Sequence, residues 1–143
     1  MIEIIPLAIL LYASFVAHRD ILVDKLTEIV SKEDISVGRY LNINSLEDID
    51  MVIKEIKYET ELRDNTQYPI ETVRKGSGDC DDFAILTYSI LKYLGYEPGI
   101  AIAYNDDDPE AHAFTFANIN GEYHIFSNND HFKADSVFEA ASM

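Results

Sequence analysis

Hydrophobic positions change their spacing near Pro98. Before it they recur every three or four residues, and after it they fall into short alternating runs. Leu7, Leu11, Phe15, His18, Leu22, Leu26 and Ile29 form the first stripe and predict one long amphipathic helix to about Val30, with Pro6 suited to its first turn. Residues 36–43 read as a loop or short extended piece around Gly38. Ser45 then reads as an N-cap, with Asp48 three residues on, ahead of the stripe Ile49, Val52, Ile53 and Ile56. After a polar, irregular stretch over 60–67, Pro69 opens a short helix that Gly76 ends. The clearest element follows: Asp79 is a good N-cap, Phe83, Leu86, Thr87, Ile90, Leu91 and Leu94 share one face, and Gly95 supplies the stop.

Beyond Pro98 the pattern predicts strands. Residues 99–104 are an apolar run and 105–110 an acidic loop, while 112–119 and 122–127 flank Asn120-Gly121, the strongest short hairpin signal. Residues 134–139 suggest a further strand. Helices followed by an antiparallel meander predict a single α+β domain over residues 1–143, with an N-terminal helical segment at 1–32. The apolar run 4–17 is 14 residues long, short of the roughly 20 that cross a bilayer. Glu3 and no basic residue precedes it, so neither a secretory signal nor a span is expected, and the default compartment is cytoplasmic.

Charge narrows the partners. The chain has 26 acidic and 11 basic residues, a formal net charge of −15. That excludes a basic nucleic-acid footprint and disfavours an anionic membrane surface. Residues 79–143 hold 12 acids against Lys92 and Lys133, a net of −10. Such an excess favours basic or amine-bearing substrates, or marks carboxylates that a cation completes. A single cysteine, Cys80, excludes an internal disulfide and a multi-cysteine zinc site.

Cys80 falls in the first turn of the clearest helix, on the side facing the core. A helix N-terminus lowers a thiol's pKa, and the Cys80 N–H is free there to donate to an oxyanion. A nucleophile of this kind needs a histidine, and the histidine needs an orienting group. The Asn120-Gly121 turn pairs Ile119 with Glu122; continued, that register sets Phe114 opposite Ser127 and His112 opposite Asn129. His112, Phe114, Phe116, Ile125, Ser127 and Asn129 then share one face, so Asn129 directly and Ser127 diagonally reach His112. His124 falls on the other face with Ala113, Ala117 and Asn128. His18 lies on the N-terminal stripe as a packing residue, and His131 is unconstrained.

The segments GSGDCDDFAILTYSILKYLGYEPGIAIAY, AHAFTF and INGEYHIFSN resemble the transglutaminase-like cysteine peptidase superfamily, nearest to its bacterial proteinases. The lead-in EIKYETELRDNTQYPIETVRKG is also similar, and the resemblance covers residues 45–129. It implies a papain-like fold in which a Cys-bearing helix packs on a small antiparallel sheet. Carried over by position, Cys80 is the nucleophile and His112 the general base. The family's Asp falls on Ser127, its tryptophans on Phe114 and Tyr123, and Asn129 is the Asn-type alternative. The implied activity is acyl transfer on peptide or amide bonds of a peptide or protein substrate, by hydrolysis or transamidation, with no required cofactor. A catalytically weakened fold acting as a binding module is the alternative, and docking through the N-terminal helix a third. Asp79, Asp81 and Asp82 oppose thiol ionisation. Either they serve as caps and turn outward, or a cation neutralises them; the calcium-dependent branch of the superfamily implies Asp79 and Asp81 as ligands, with residues 105–108 as another oxygen-rich candidate.

Overall fold

The computed structural model describes residues 2–5, 26, 28, 36–60, 67–105 and 108–141, with backbone alone for 2–5, 104, 105 and 108–111. In chain order the elements are β1 (Ile2–Ile5), α1 (Ser36–Tyr40), α2 (Leu46–Glu55), β2 (Lys57–Tyr58), α3 (Pro69–Lys75), β3 (Ser77–Gly78), α4 (Cys80–Tyr93), β4 (Pro98–Asn105), β5 (Asp108–Ile119), β6 (Glu122–Ser127), β7 (Asp130–Ala134) and α5 (Val137–Ala141). Leu26 and Glu28 have helical backbone, while the rest of the first predicted helix lies outside the described residues. The predicted α+β class, with helices packed on an antiparallel sheet, is what the chain adopts.

Five strands form one antiparallel sheet in the order β1-β4-β5-β6-β7. Alternation gives it two faces. Ile100, Ile102, Ala113, Ala117 and Phe126 pack toward α4, where Phe83, Ile85, Leu86, Ile90 and Leu91 are buried. Thr115 fixes the contact, its hydroxyl donating to the Ala84 carbonyl at 2.6 Å. Ile49 and Ile53 of α2 join the same core. On the opposite face Ala101, Phe114 and Ile125 are covered by Val137 and Ala140 of α5.

Four local expectations are corrected. Residues 2–5, inside the segment 1–32 read as helical, are a strand: Ile-Glu-Ile-Ile is rich in β-branched residues and completes the open edge of β4. Residues 36–40 form a helix rather than a loop, because Gly38 lets the chain lie directly on α4; a Cβ at Gly38 would stand 2.3 Å from the Tyr93 ring. The acidic loop is shorter than expected, since β5 begins at Asp108 opposite Asn105. Residues 134–139 are not one strand: β7 ends at Ala134 and α5 follows. Among the described residues no helix is long and apolar enough to cross a membrane.

The close approach at Gly38 gives a direct check. Gly38→Ala is expected to cost about 1–3 kcal/mol, because a rigid ring rather than a flexible chain end occupies the space. Chemical denaturation would measure it, and an unchanged midpoint would refute the packing of α1 on α4.

Candidate active site

The site is built on the first turn of α4. Gly76, at φ 73°, closes α3 and feeds a short parallel pairing of Lys57-Tyr58 with Ser77-Gly78. That pairing delivers the chain to Asp79, whose side chain accepts from the Asp82 N–H at 3.3 Å. Asp82 reciprocates: its carboxylate accepts from the Asp79 N–H at 3.0 Å and from the Gln67 N–H at 2.7 Å, and it is fully buried. A side chain at Gly78 would collide with this carboxylate, its Cβ lying 2.7 Å from that of Asp82. Asp79 and Asp82 are therefore caps, one of the two roles anticipated for the acids.

Asp81 is different. It is buried rather than turned outward, and its Oδ1 lies 3.6 Å from the Cys80 sulfur, which donates to it. Burial, then the Asp81 charge, push the Cys80 thiol up to about 12; the Ala113 backbone N–H opposes the rise, and Asp79 adds to it. The expected depression by the helix N-terminus is thus reversed: desolvation and two nearby carboxylates outweigh the helix end and one N–H. Burial and the charges of Asp81 and Asp82 also raise Asp79 to about 7. The resting cysteine is a thiol.

The contact with Ala113 places Cys80 beside the strand that carries His112. The β5–β6 ladder follows the expected register from Ile119↔Glu122 to Thr115↔Phe126, around Asn120 and Gly121 at φ 55° and 85°. Beyond Thr115, Cys80 meets β5 two residues further along, from the α4 side. His112 projects to the other face and stacks on Phe114 with ring centroids 6.1 Å apart. Its Nε2 is 2.7 Å from the Ser127 hydroxyl oxygen. Burial lowers the His112 pKa, so the imidazole is neutral at neutral pH. The geometry brings His112 and Ser127 together on one face of the sheet and sets Cys80 against the adjacent residue of β5, Ala113, from the other.

Asn129 does not join them. The first hairpin's register does not extend to it, because Ser127 pairs with Asp130 and a second tight hairpin turns at Asn128-Asn129, with Asn128 at φ 51°. The Asn129 amide donates instead to the carbonyls of Ile53 at 2.5 Å and Ile56 at 2.7 Å, at the end of α2. Consecutive asparagines are a turn signal that outranks continued alternation here. His124 lies on the α4 face as expected, and His131 joins it. A cavity of about 320 Å³ opens beside His112 and Ser127, walled by Phe114, Ile125 and Phe132, with Asp130 as its acid. Among the described residues no group of three or more His, Cys, Asp or Glu side chains could hold a metal ion, and the side chains of 105–108 lie outside them.

Comparison with known proteins agrees with this fold. A provisionally assigned cysteine protease from Cytophaga hutchinsonii superposes with a TM-score of 0.50 at 21% identity, over 82% of this chain and 44% of its own. EGTA-treated LapG of Legionella pneumophila gives a TM-score of 0.50 at 23% identity, over 86% of this chain and 69% of its own. The chain thus spans less than half the length of the first neighbour, and the likeness to both is one of fold. No curated protein matches the chain. The model of the transglutaminase-like domain matches residues 23–134, with Cys80 and His112 inside it, and the chain belongs to that family.

Proposed function

We propose that this domain performs cysteine-dependent acyl transfer on a peptide or amide bond. The observation that carries the reading is the Ser127-held, neutral imidazole of His112 on the strand that the Cys80 sulfur touches. In the proposed step the thiol proton passes to His112 as the sulfur attacks the substrate carbonyl. The Cys80 N–H, at the open end of α4, donates to the oxyanion. Collapse breaks the C–N bond, and His112 returns the proton to the leaving amine. Water or a second amine resolves the thioester, giving hydrolysis or transamidation. Ser127 orients the ring without adding charge.

The substrate we propose is basic or amine-bearing. The net charge of −10 over residues 79–143 attracts such groups, and the cavity beside His112 pairs apolar walls with Asp130, which suits an aliphatic stem ending in a cation. Calcium at Asp79 and Asp81 remains a proposal of the same reading. A cation there would offset the two carboxylates that raise the thiol. A second reading, a binding module with weakened catalysis, is favoured by the thiol's rise to about 12 and by the uncharged Ser127.

Four measurements separate these outcomes. Cys80→Ser and His112→Ala are each expected to abolish hydrolysis of basic peptide amides; turnover that survives both would refute the enzyme reading. Asp81→Asn removes the charge beside the sulfur and is expected to speed alkylation of Cys80 at pH 7 by about tenfold or more, one unit of thiol pKa or more; an unchanged rate would show that Asp81 does not control the thiol. Ser127→Asp sets a carboxylate on Nε2, so the His112 pKa is expected to rise by about one unit, read by NMR titration. Millimolar calcium, if held by Asp79 and Asp81, raises the thermal midpoint of the native chain and leaves that of Asp79→Asn unchanged.

A further inference from the structure

A second set of titratable groups stands apart from Cys80 and His112. Asp50 of α2 accepts a 2.7 Å hydrogen bond from Nδ1 of His131 on β7, and His131 Nε2 faces Nδ1 of His124 on β6 at 2.8 Å. His124 is buried, and the His131 ring stacks on Phe126 with centroids 4.1 Å apart and planes 19° from parallel. One helix and two strands are thus joined by a single line of donors and acceptors. Beside it, the Asn129 amide ties the β6–β7 turn to the end of α2, two residues beyond Ser127.

Two facing ring nitrogens hold one proton between them. With none added, one imidazole donates to the other. With one added, the His131 cation donates to both Asp50 and His124, and the line stays intact. With two, N–H faces N–H and the line must break. We propose that Asp50, His131 and His124 form a proton-operated latch, which docks α2 on the β6–β7 hairpin and, through Asn129, keeps Ser127 placed against His112. The coupling to Ser127 rests on the function proposed above; the latch itself does not.

The surrounding charges fix the direction. Burial lowers the His124 pKa, as do His131 and its cross-strand neighbour Lys133, against smaller opposing effects of Glu122 and Asp50. A histidine with a lowered native pKa binds fewer protons folded than unfolded at mildly acid pH. Stability contributed by the neutral form is therefore present above the ordinary histidine pKa, about 6.5, and is lost as pH falls below it.

Hydrogen exchange on the full chain, corrected for intrinsic rates, tests this between pH 7.5 and 5. Residues 46–56 are expected to lose tenfold or more protection on acidification while α4 keeps its own. His124→Phe, which keeps a ring but no proton, should abolish the step, and Asp50→Asn, at a part-exposed position, should move it to higher pH. Protection of α2 that is independent of pH, or a step that survives in His124→Phe and is unmoved in Asp50→Asn, would overturn the latch. Stabilisation by equimolar zinc that His124→Phe removes would overturn it too, in favour of a metal site. The coupling is read from the NMR signals of His112: a shift that follows the α2 step and vanishes in His124→Phe supports it, and signals indifferent to that step refute it, whether or not the domain proves catalytic.

Discussion

The buried carboxylate of Asp82 is the constraint on which the site depends. It satisfies the backbone N–H groups of Gln67 and Asp79, and so fixes where the chain enters α4. A buried charge is tolerated only when it is hydrogen-bonded, and these two donors meet that need from both sides of the entry. The glycine at 78 leaves room for it, and the Asp79 cap returns the interaction. With the first turn held, Cys80 has one place to go: against Ala113, the residue after His112.

The same arrangement sets the chemistry. The caps at Asp79 and Asp82 hold the helix start, while its burial and the charges of Asp81 and Asp79 oppose formation of a thiolate. Desolvation and the carboxylates act on the sulfur together, and the Ala113 N–H acts against them. The imidazole is also kept neutral, by burial. At rest Cys80 is consequently a thiol and His112 a neutral imidazole. In the proposed reaction, activation would come from something that removes negative charge near Asp79 and Asp81, or from the substrate carbonyl receiving the sulfur as the proton leaves.

What was legible in the sequence follows the range of the interactions involved. Pro69 to Gly76, Asp79 to Gly95 and the Asn120-Gly121 hairpin are set by caps and turn residues a few positions apart, and these elements appear as read. His112 and Ser127 came together because a two-residue turn fixes register over the next ten residues. Asn129 failed at the point where a second turn competed with the first; its amide serves α2, more than 70 residues earlier in the chain. The strand at 2–5 was equally hidden, since its partner β4 lies about 100 residues away and only the sheet reveals the open edge. The partners of His131 and the burial of Asp81 required the packed molecule, because no local pattern encodes which helix covers which strand.

The ionisation of Cys80 tests the central claim most directly, and a chain with one cysteine makes the measurement clean. With cysteine labelled at 13Cβ, a single resonance reports thiol or thiolate across a pH titration. A signal that stays at the thiol position from pH 6 to 9, with the His112 nitrogens reporting a neutral ring at pH 7, is the predicted result. A thiolate already formed at pH 7, beside a protonated His112, would contradict it.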